Sequence, residues 1–566
     1  MSGSKTDADE TATDGRTAGG TATGGLTRRG VLAGVAAAGL AAGATAVSAE
    51  AAAATGPSKA AGTAGDGCPA PREAVEVRPS DPRYRSLTTR GTNSRFVGSP
   101  DVIRVVSRTE HVVEAVQQAV REGRRIAVRS GGHCFENFVD DPAVRFLIDM
   151  SGMRTIRFDP RREAFMVEAG ASLAEMYREL YLGWGVAVPA GATPAVGVGG
   201  HVLGGGYGML SRRYGLSVDH LDAVEVVVVD RSGRAAAVVA SRDPADPHHE
   251  LWWAHTGGGG GNFGVVTRYW FRDPRAARGT VPGRLLPRPP ESLLTFSADW
   301  PWKDMDRRSF TRLVRNHGSW HERNSAPGSP YDSLFSVLML NRRESGSITL
   351  SGMLDATGPG ARQRLDGYLA AVGHGVAVRP ARTHRIRPWL HVAAAVQDFG
   401  PTPGKAKAAY LRRRFTDRQT ETVHQHLTDA GYGHSDAALW LVSYGGQVNA
   451  VPPGATAAAQ RDSILKAIYL TGWEEGKDPA PYLKWVREFY RAVYADTGGV
   501  PVPGPVSDGS FVNYPDTDLA DPRWNTSGVP WHTLYYKDGY ARLQRVKARW
   551  DPREEFRHGL SVRPGR

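Results

Sequence analysis

The sequence predicts an α+β protein of two lobes, on three observations. The chain has 566 residues, 41% hydrophobic and 23% charged, more than one ordinary domain needs and enough to bury a large core. Its first half carries a strand–helix–strand pattern punctuated by glycine runs, and its second half carries amphipathic strands mixed with helices. Between them, Asp273-Pro274-Arg275 opens a Pro-rich stretch to about Pro290, a composition shift that marks a domain boundary.

Taken in order, residues 1–26 are small and polar, and Thr27-Arg28-Arg29-Gly30-Val31-Leu32 then runs into an Ala/Gly/Val stretch that ends near Val47-Ser48-Ala49. Paired arginines ahead of a short apolar run with small residues behind it predict a twin-arginine signal over 1–49, so the mature chain is expected to be secreted and to keep no membrane span. That route exports folded proteins, which suits a passenger loaded with a cofactor beforehand. Residues 50–82 are Ala/Gly/Pro-rich and aperiodic and read as a linker. Val102–Val106 and Arg125–Val128 read as strands flanking a helix over Glu110–Arg121, with further strands at 145–148, 164–167, 223–229 and 265–269. In the second half, strands are expected at 333–340, 347–353 and 438–443 and helices at 361–372 and 479–496, an antiparallel sheet covered by helices. From about Pro501 short strand and helix patterns return, with a helix near 538–550.

Composition excludes several function classes. Two cysteines, Cys68 and Cys134, rule out a disulfide framework and a multi-cysteine zinc site, and no metal site is expected. The net charge of +12, from 70 basic and 58 acidic residues, is spread among acids without a cationic block, so nucleic-acid binding is not expected. The signal region holds as many basic residues (Lys5, Arg16, Arg28, Arg29) as acidic ones (Asp7, Asp9, Glu10, Asp14), so the excess belongs to the globular body.

Three Gly-rich segments carry the chemistry: Arg129-Ser130-Gly131-Gly132-His133, Gly191 to Gly208, and Gly257 to Gly264. Backbone without Cβ can approach a pyrophosphate or a flat ring closely, so a large nucleotide cofactor is the natural occupant. Gly259 to Gly264 matches G-x-G-x-x-G, but a strand pattern and not a helix follows, so the dinucleotide reading fails on context. P-loop, zincin and nucleophile-elbow motifs are absent.

These segments, in the order R-S-G-G-H, P-A-G-x-x-P-x-V-G-V-G-G-H-x-x-G-G-G-Y-G, and L-W-W-A-x-x-G-G-G-G-G-N-F-G-V-V-T, followed by Asn513-Tyr514-Pro515-Asp516-Thr517-Asp518-Leu519, closely resemble the berberine-bridge-enzyme-like flavin oxidases of the vanillyl-alcohol-oxidase superfamily, over roughly residues 81–562. His133-Cys134-Phe135-Glu136, Trp252-Trp253-Ala254-His255-Thr256 and Ser443-Tyr444-Gly445-Gly446 resemble the bacterial, aclacinomycin-oxidoreductase-like members that finish secondary metabolites. The resemblance implies a PCMH-type FAD-binding domain over 83–275, a substrate domain over 276–500, and a C-terminal segment, 501–566, that packs back on the FAD domain. It implies FAD linked through its 8α-methyl to His133, a bond that raises the potential and retains the cofactor after export. Many relatives add a cysteine link at flavin C6; Thr193 stands there and cannot form it, so a single link is expected. Arg129, Ser130, Gly131, Gly132, Gly197, Gly199, Gly200, His201, Gly204, Gly206, Gly208, Gly261, Asn262, Gly264, Val266 and Asn513 are the implied cofactor contacts.

The implied reaction is oxidation of a secondary alcohol or hemiacetal on a bulky, glycosylated metabolite, with O2 reduced to H2O2. Tyr514 is the implied base and Tyr444 a second active-site tyrosine; a free phenol has a pKa of about 10, so Tyr514 would need a neighbouring cation or the flavin's field. Trp300, Trp302, Trp320, Trp389 and Trp440 are candidates for a stacking platform or for core. Two alternatives stay open: a carbohydrate oxidase for mono- or oligosaccharides, and a resistance flavoprotein that binds a quinone antibiotic with little turnover.

Overall fold

The computed structural model describes residues 73–395 and 401–565. The signal region, Cys68 and most of the expected linker lie outside these residues.

The first lobe holds two sheets. β1 (Val75–Val77), β2 (Val102–Val105), β3 (Ile126–Arg129) and β4 (Phe146–Asp149) form a four-stranded sheet in the order β1-β2-β4-β3. β2, β4 and β3 are parallel, and β1 adds antiparallel at the edge. β1 lies inside the stretch read as linker: Val77 is buried against Ile103 and Leu147, enough apolar contact to order a short edge strand in an otherwise aperiodic segment. Helix Thr109–Arg121 connects β2 to β3 and buries Val112, Ala115, Val116 and Ala119 at the expected helical spacing. β5 (Ile156–Asp159), β6 (Ala164–Glu168), β7 (Leu221–Val229), β8 (Ala235–Ser241) and β9 (Val265–Phe271) form an antiparallel sheet in the order β5-β6-β9-β7-β8.

The second lobe is one antiparallel sheet of seven strands: β10 (Ser292–Pro301), β11 (Phe335–Asn341), β12 (Ser347–Asp355), β13 (Ala381–Pro388), β14 (Gly404–Leu411), β15 (Ala437–Ser443) and β16 (Leu465–Gly472), in the order β13-β10-β12-β11-β15-β16-β14. Helices Arg307–Asn324, Ala361–Gly373, Asp417–Thr428 and Ala480–Val493 accompany it. Among the described residues no strand follows β16. The terminal segment instead crosses both lobes: Tyr410 and Asp508–Gly509 exchange backbone hydrogen bonds at the sheet edge, while Asn513 Nδ2 donates to the His201 carbonyl at 2.9 Å and the Val562 amide donates to Asn262 at 2.9 Å. Helix Tyr540–Trp550 buries Leu543 and Val546. No helix among the described residues is long and apolar enough to cross a membrane.

Candidate functional site

One large cavity, with about 350 Å³ of open space, runs between the Gly-rich loops of the first lobe and the face of the seven-stranded sheet. Its lining gathers Arg129, Ser130, Gly131, Gly132 and His133 at the end of β3; Thr193, Gly197, Gly199, Gly200, His201 and Gly208; Gly261, Asn262, Gly264 and Val266 leading into β9; and Asn513 and Tyr514. Segments more than 300 residues apart in sequence thus meet at one site.

The loops are held by their own contacts. Ser130 Oγ donates to the Ala169 carbonyl at 2.6 Å, and Arg129 reaches Asp140 and the Leu87 carbonyl. Asn262 is a loop organiser: its amide donates to the Gly258 carbonyl at 2.9 Å and its oxygen accepts from Val562. His201 accepts from the Gly191 amide at 3.0 Å. Several glycines serve packing between loops: a Cβ on Gly131 would lie 2.2 Å from the Gly197 nitrogen, and one on Gly208 would lie 1.8 Å from the Ala190 carbonyl. Gly200, by contrast, has nothing within 4 Å in that direction and leaves backbone open to an occupant.

Gly204, Gly206 and Tyr444 lie outside this lining, around a second, water-sized cavity behind it. Gly204 is bare because Asn513 is seated there, 2.0 Å from where its Cβ would be, and Gly206 combines φ +68° with Ser217 packed against it. Tyr444 is 1% exposed; its ring packs 4.8 Å from Tyr207 and 5.0 Å from Tyr410, and its hydroxyl donates to the Gln460 carbonyl at 3.2 Å. It stands behind Tyr207, away from the open space. Of the candidate tryptophans only Trp440 lines the cavity; Trp300, Trp302, Trp320 and Trp389 are buried elsewhere in the core.

Two cavity residues escaped the sequence reading. Tyr207, inside the G-G-G-Y-G run, is nearly buried and its hydroxyl donates to the Ser443 carbonyl. Lys466 sits on β16, and the register Val337–Val442–Lys466 across β11, β15 and β16 puts it on the sheet face that lines the cavity beside Phe335, Trp440 and Ile468. Its ammonium lies 3.9 Å from the Tyr207 ring centroid and 4.5 Å from that of Phe511. A lone lysine in the apolar strand Leu465–Gly472 was the signal that could have found it.

The electrostatics follow from burial. Desolvation lowers the Lys466 pKa to about 7 and raises that of Tyr514 to about 12; it also pushes the Tyr207 phenol above its ordinary value, against the pull of Arg212. The cation that Tyr514 was expected to need stands at Tyr207. Burial lowers His133 to about 4, partly opposed by a hydrogen bond with the Ala195 backbone, so its imidazole is neutral and keeps a lone pair free for a bond to carbon. Cys134, beside it, has its thiol pushed up to about 12 by burial and is inert as a thiolate.

FAD fits these residues. Among the described residues no carboxylate lines the cavity, so a diphosphate meets no like charge there, and the Gly200 backbone is open to close approach. Comparison with known proteins agrees. Residues 100–235 match the FAD binding domain family and residues 510–563 the berberine and berberine-like family. The chain is 54% identical over 506 residues to aclacinomycin-N/aclacinomycin-A oxidase of Streptomyces galilaeus, covering 88% of this chain and 92% of the relative. It is 30% identical over 526 residues to hexose oxidase of Chondrus crispus, covering 85% and 93%. The crystal structure of a glycopeptide hexose oxidase complexed with teicoplanin superposes with a TM-score of 0.85 at 52% identity, covering 88% of this chain and all of that one. The chain therefore belongs to the berberine-bridge-like, vanillyl-alcohol-oxidase-type family and is an FAD-linked oxidoreductase acting on CH–OH groups.

Proposed function

We propose that this protein is a secreted oxidase that converts a secondary alcohol or hemiacetal, carried on the sugar of a bulky secondary metabolite, to the carbonyl or lactone. The observation that carries this reading is the substrate end of the cavity: Phe335, Val337, Trp440, Val442 and Ile468 form an apolar sheet face with, among the described residues, one ammonium, Lys466, and no carboxylate. Such a face suits an aglycone or a deoxysugar better than a free hexose, whose hydroxyls would find few partners there. The similarity to enzymes named for aclacinomycin and for a glycopeptide hexose supports the same class. Export rests on Arg28-Arg29 ahead of the apolar run.

In this reading His133 and the Gly-rich loops would hold FAD through one bond, with Thr193 in place of a second. When bound, FAD would supply the two-electron acceptor for the carbinol, with O2 as the terminal oxidant giving H2O2. The chain's own task is the hydroxyl proton. Tyr514, at about 12, is too weak an acid to stand ionised near neutrality. Lys466, whose desolvated ammonium gives up its proton near pH 7, is the group on the cavity face that can receive the substrate's proton as the neutral amine, over the Tyr207 ring. Tyr514 then hydrogen-bonds the same hydroxyl and orients it, with Phe135 stacked at 4.8 Å to fix its ring.

The test is a peroxide-release screen of the purified mature protein on glycosylated aromatic polyketides, glycopeptides and free hexoses. Release from the glycosylated metabolites, with free hexoses slower by about tenfold or more, is expected. Faster turnover of free hexoses would favour the carbohydrate-oxidase alternative, and tight binding of a quinone without peroxide would favour the resistance alternative.

A further inference from the structure

Behind the wall that carries Tyr514 lies a buried, charge-balanced network of three carboxylates and three cations drawn from four parts of the chain. Lys405 Nζ lies 2.5 Å from Glu136 and 2.7 Å from Asp516; Lys407 Nζ lies 2.5 Å from Asp516 and 2.9 Å from Asp518; Arg487 closes on Asp518 at 2.9 Å. Apart from Arg487, these side chains are no more than 4% exposed. Burial opposes the charge on Lys405, but Asp516, Glu136 and Asp518 outweigh it and hold the ammonium protonated. Desolvation likewise opposes ionisation of Asp518, and Lys407 and Lys405 overcome it.

The members' places in sequence give the network its meaning. Glu136 follows His133 by three residues and Asp516 follows Tyr514 by two. Between them Phe135 stacks on Tyr514 with the rings 17° from parallel. Asn93 reinforces the join, donating to the Phe135 carbonyl at 3.0 Å while exchanging hydrogen bonds with Gly404, the neighbour of Lys405. Buried ion pairs add little net stability over apolar packing, and their best-attested value is to fix one arrangement among several.

We infer that Lys405, bridging Glu136 and Asp516, is a positioning residue that locks the histidine-bearing loop to the Tyr514 segment. Cofactor attachment and the substrate-orienting phenol are thereby set as one unit. This rests on the roles proposed above for His133 and Tyr514.

The experiment compares the full-length holoenzyme with two charge-balanced double variants by hydrogen exchange and by the fraction of flavin that stays with acid-precipitated protein. Lys405→Met with Glu136→Gln removes the bridge. Lys407→Met with Asp518→Asn removes an equally buried pair that does not touch Glu136. The first should speed exchange about tenfold or more in both the 130–145 and 511–516 peptides and lower the acid-stable flavin fraction. The second should loosen the C-terminal peptide alone. Glu136→Gln by itself, which keeps the side chain's shape, should move both peptides in the same direction by less, and serves if the double variant does not fold. Wild-type exchange in either peptide after the bridge is removed, or equal effects from both double variants, would overturn the inference. Flavin lost to the supernatant already from the wild type would refute the covalent reading, while the exchange data still decide the lock.

Discussion

Lys466→Met removes the one ammonium that lines the cavity among the described residues while keeping most of the side-chain volume. Desolvation brings the Lys466 pKa from 10.5 to about 7, so near neutrality about half of the amines are free to accept a proton. Loss of a positioned base costs about 100-fold or more in rate, about 3 kcal/mol of barrier. The pH profile sharpens the expectation. Lys466 must have lost its proton to act, so in the wild type flavin reduction should fall away as pH drops through about 7. In the variant that limb should vanish. The assay is anaerobic stopped-flow bleaching of the flavin with the alcohol found in the peroxide screen, followed from about pH 5 to about pH 10. A variant within about threefold of wild type, with its acid limb unmoved, would refute Lys466 as proton acceptor.

Other expectations follow from the same geometry. Lys466→Met should also change stability with pH: the folded-state pKa, about 7, lies below the ordinary 10.5, so the cost of burying the charge is fully present below pH 7 and disappears toward pH 10.5. The variant's Tm should therefore exceed the wild type's most at pH 6, by the equivalent of up to about 5 kcal/mol, with the gap closing in alkali; thermal melts across pH check this. Tyr514→Phe, which loses the orienting hydrogen bond, should lower kcat about tenfold with the flavin retained, whereas Tyr444→Phe, which loses its bond to Gln460 and the one it shares with Tyr410, should cost about 2 kcal/mol of stability and leave turnover within about threefold. Gly131→Ala would place a Cβ 2.2 Å from the Gly197 nitrogen, so it should part the two loops and yield protein with little bound flavin, read from the ratio of visible to near-ultraviolet absorbance.

Much of this was legible in the sequence because the relevant signals are local. The periodicity of Thr109–Arg121 and the apolar runs of β4, β6, β7 and β9 gave their elements directly, and the Gly-rich motifs gave the loops. What was not legible depends on partners distant in the chain. β14, with sequence GKAKAAYL, does not look like a buried strand until Glu136, Asp516 and Asp518 neutralise its lysines. β13 is exposed along nearly its whole length and carries no apolar alternation to betray it. Tyr444 stood within a recognisable motif, yet only the packing of Tyr207 over it shows which phenol faces the cavity. The glycines misled in a similar way: motif and composition assign them to a cofactor, but Gly204 and Gly206 exist to seat Asn513 and Ser217.

Whether this is an oxidase whose flavin is anchored at His133 by a single bond is decided by acid precipitation of the purified mature protein followed by tryptic mass spectrometry. The expected result is a yellow pellet, flavin on His133 within the peptide Ser130 to Arg145, and an unmodified peptide around Thr193. A colourless pellet with all the flavin in the supernatant, or flavin attached at any other residue, would contradict it.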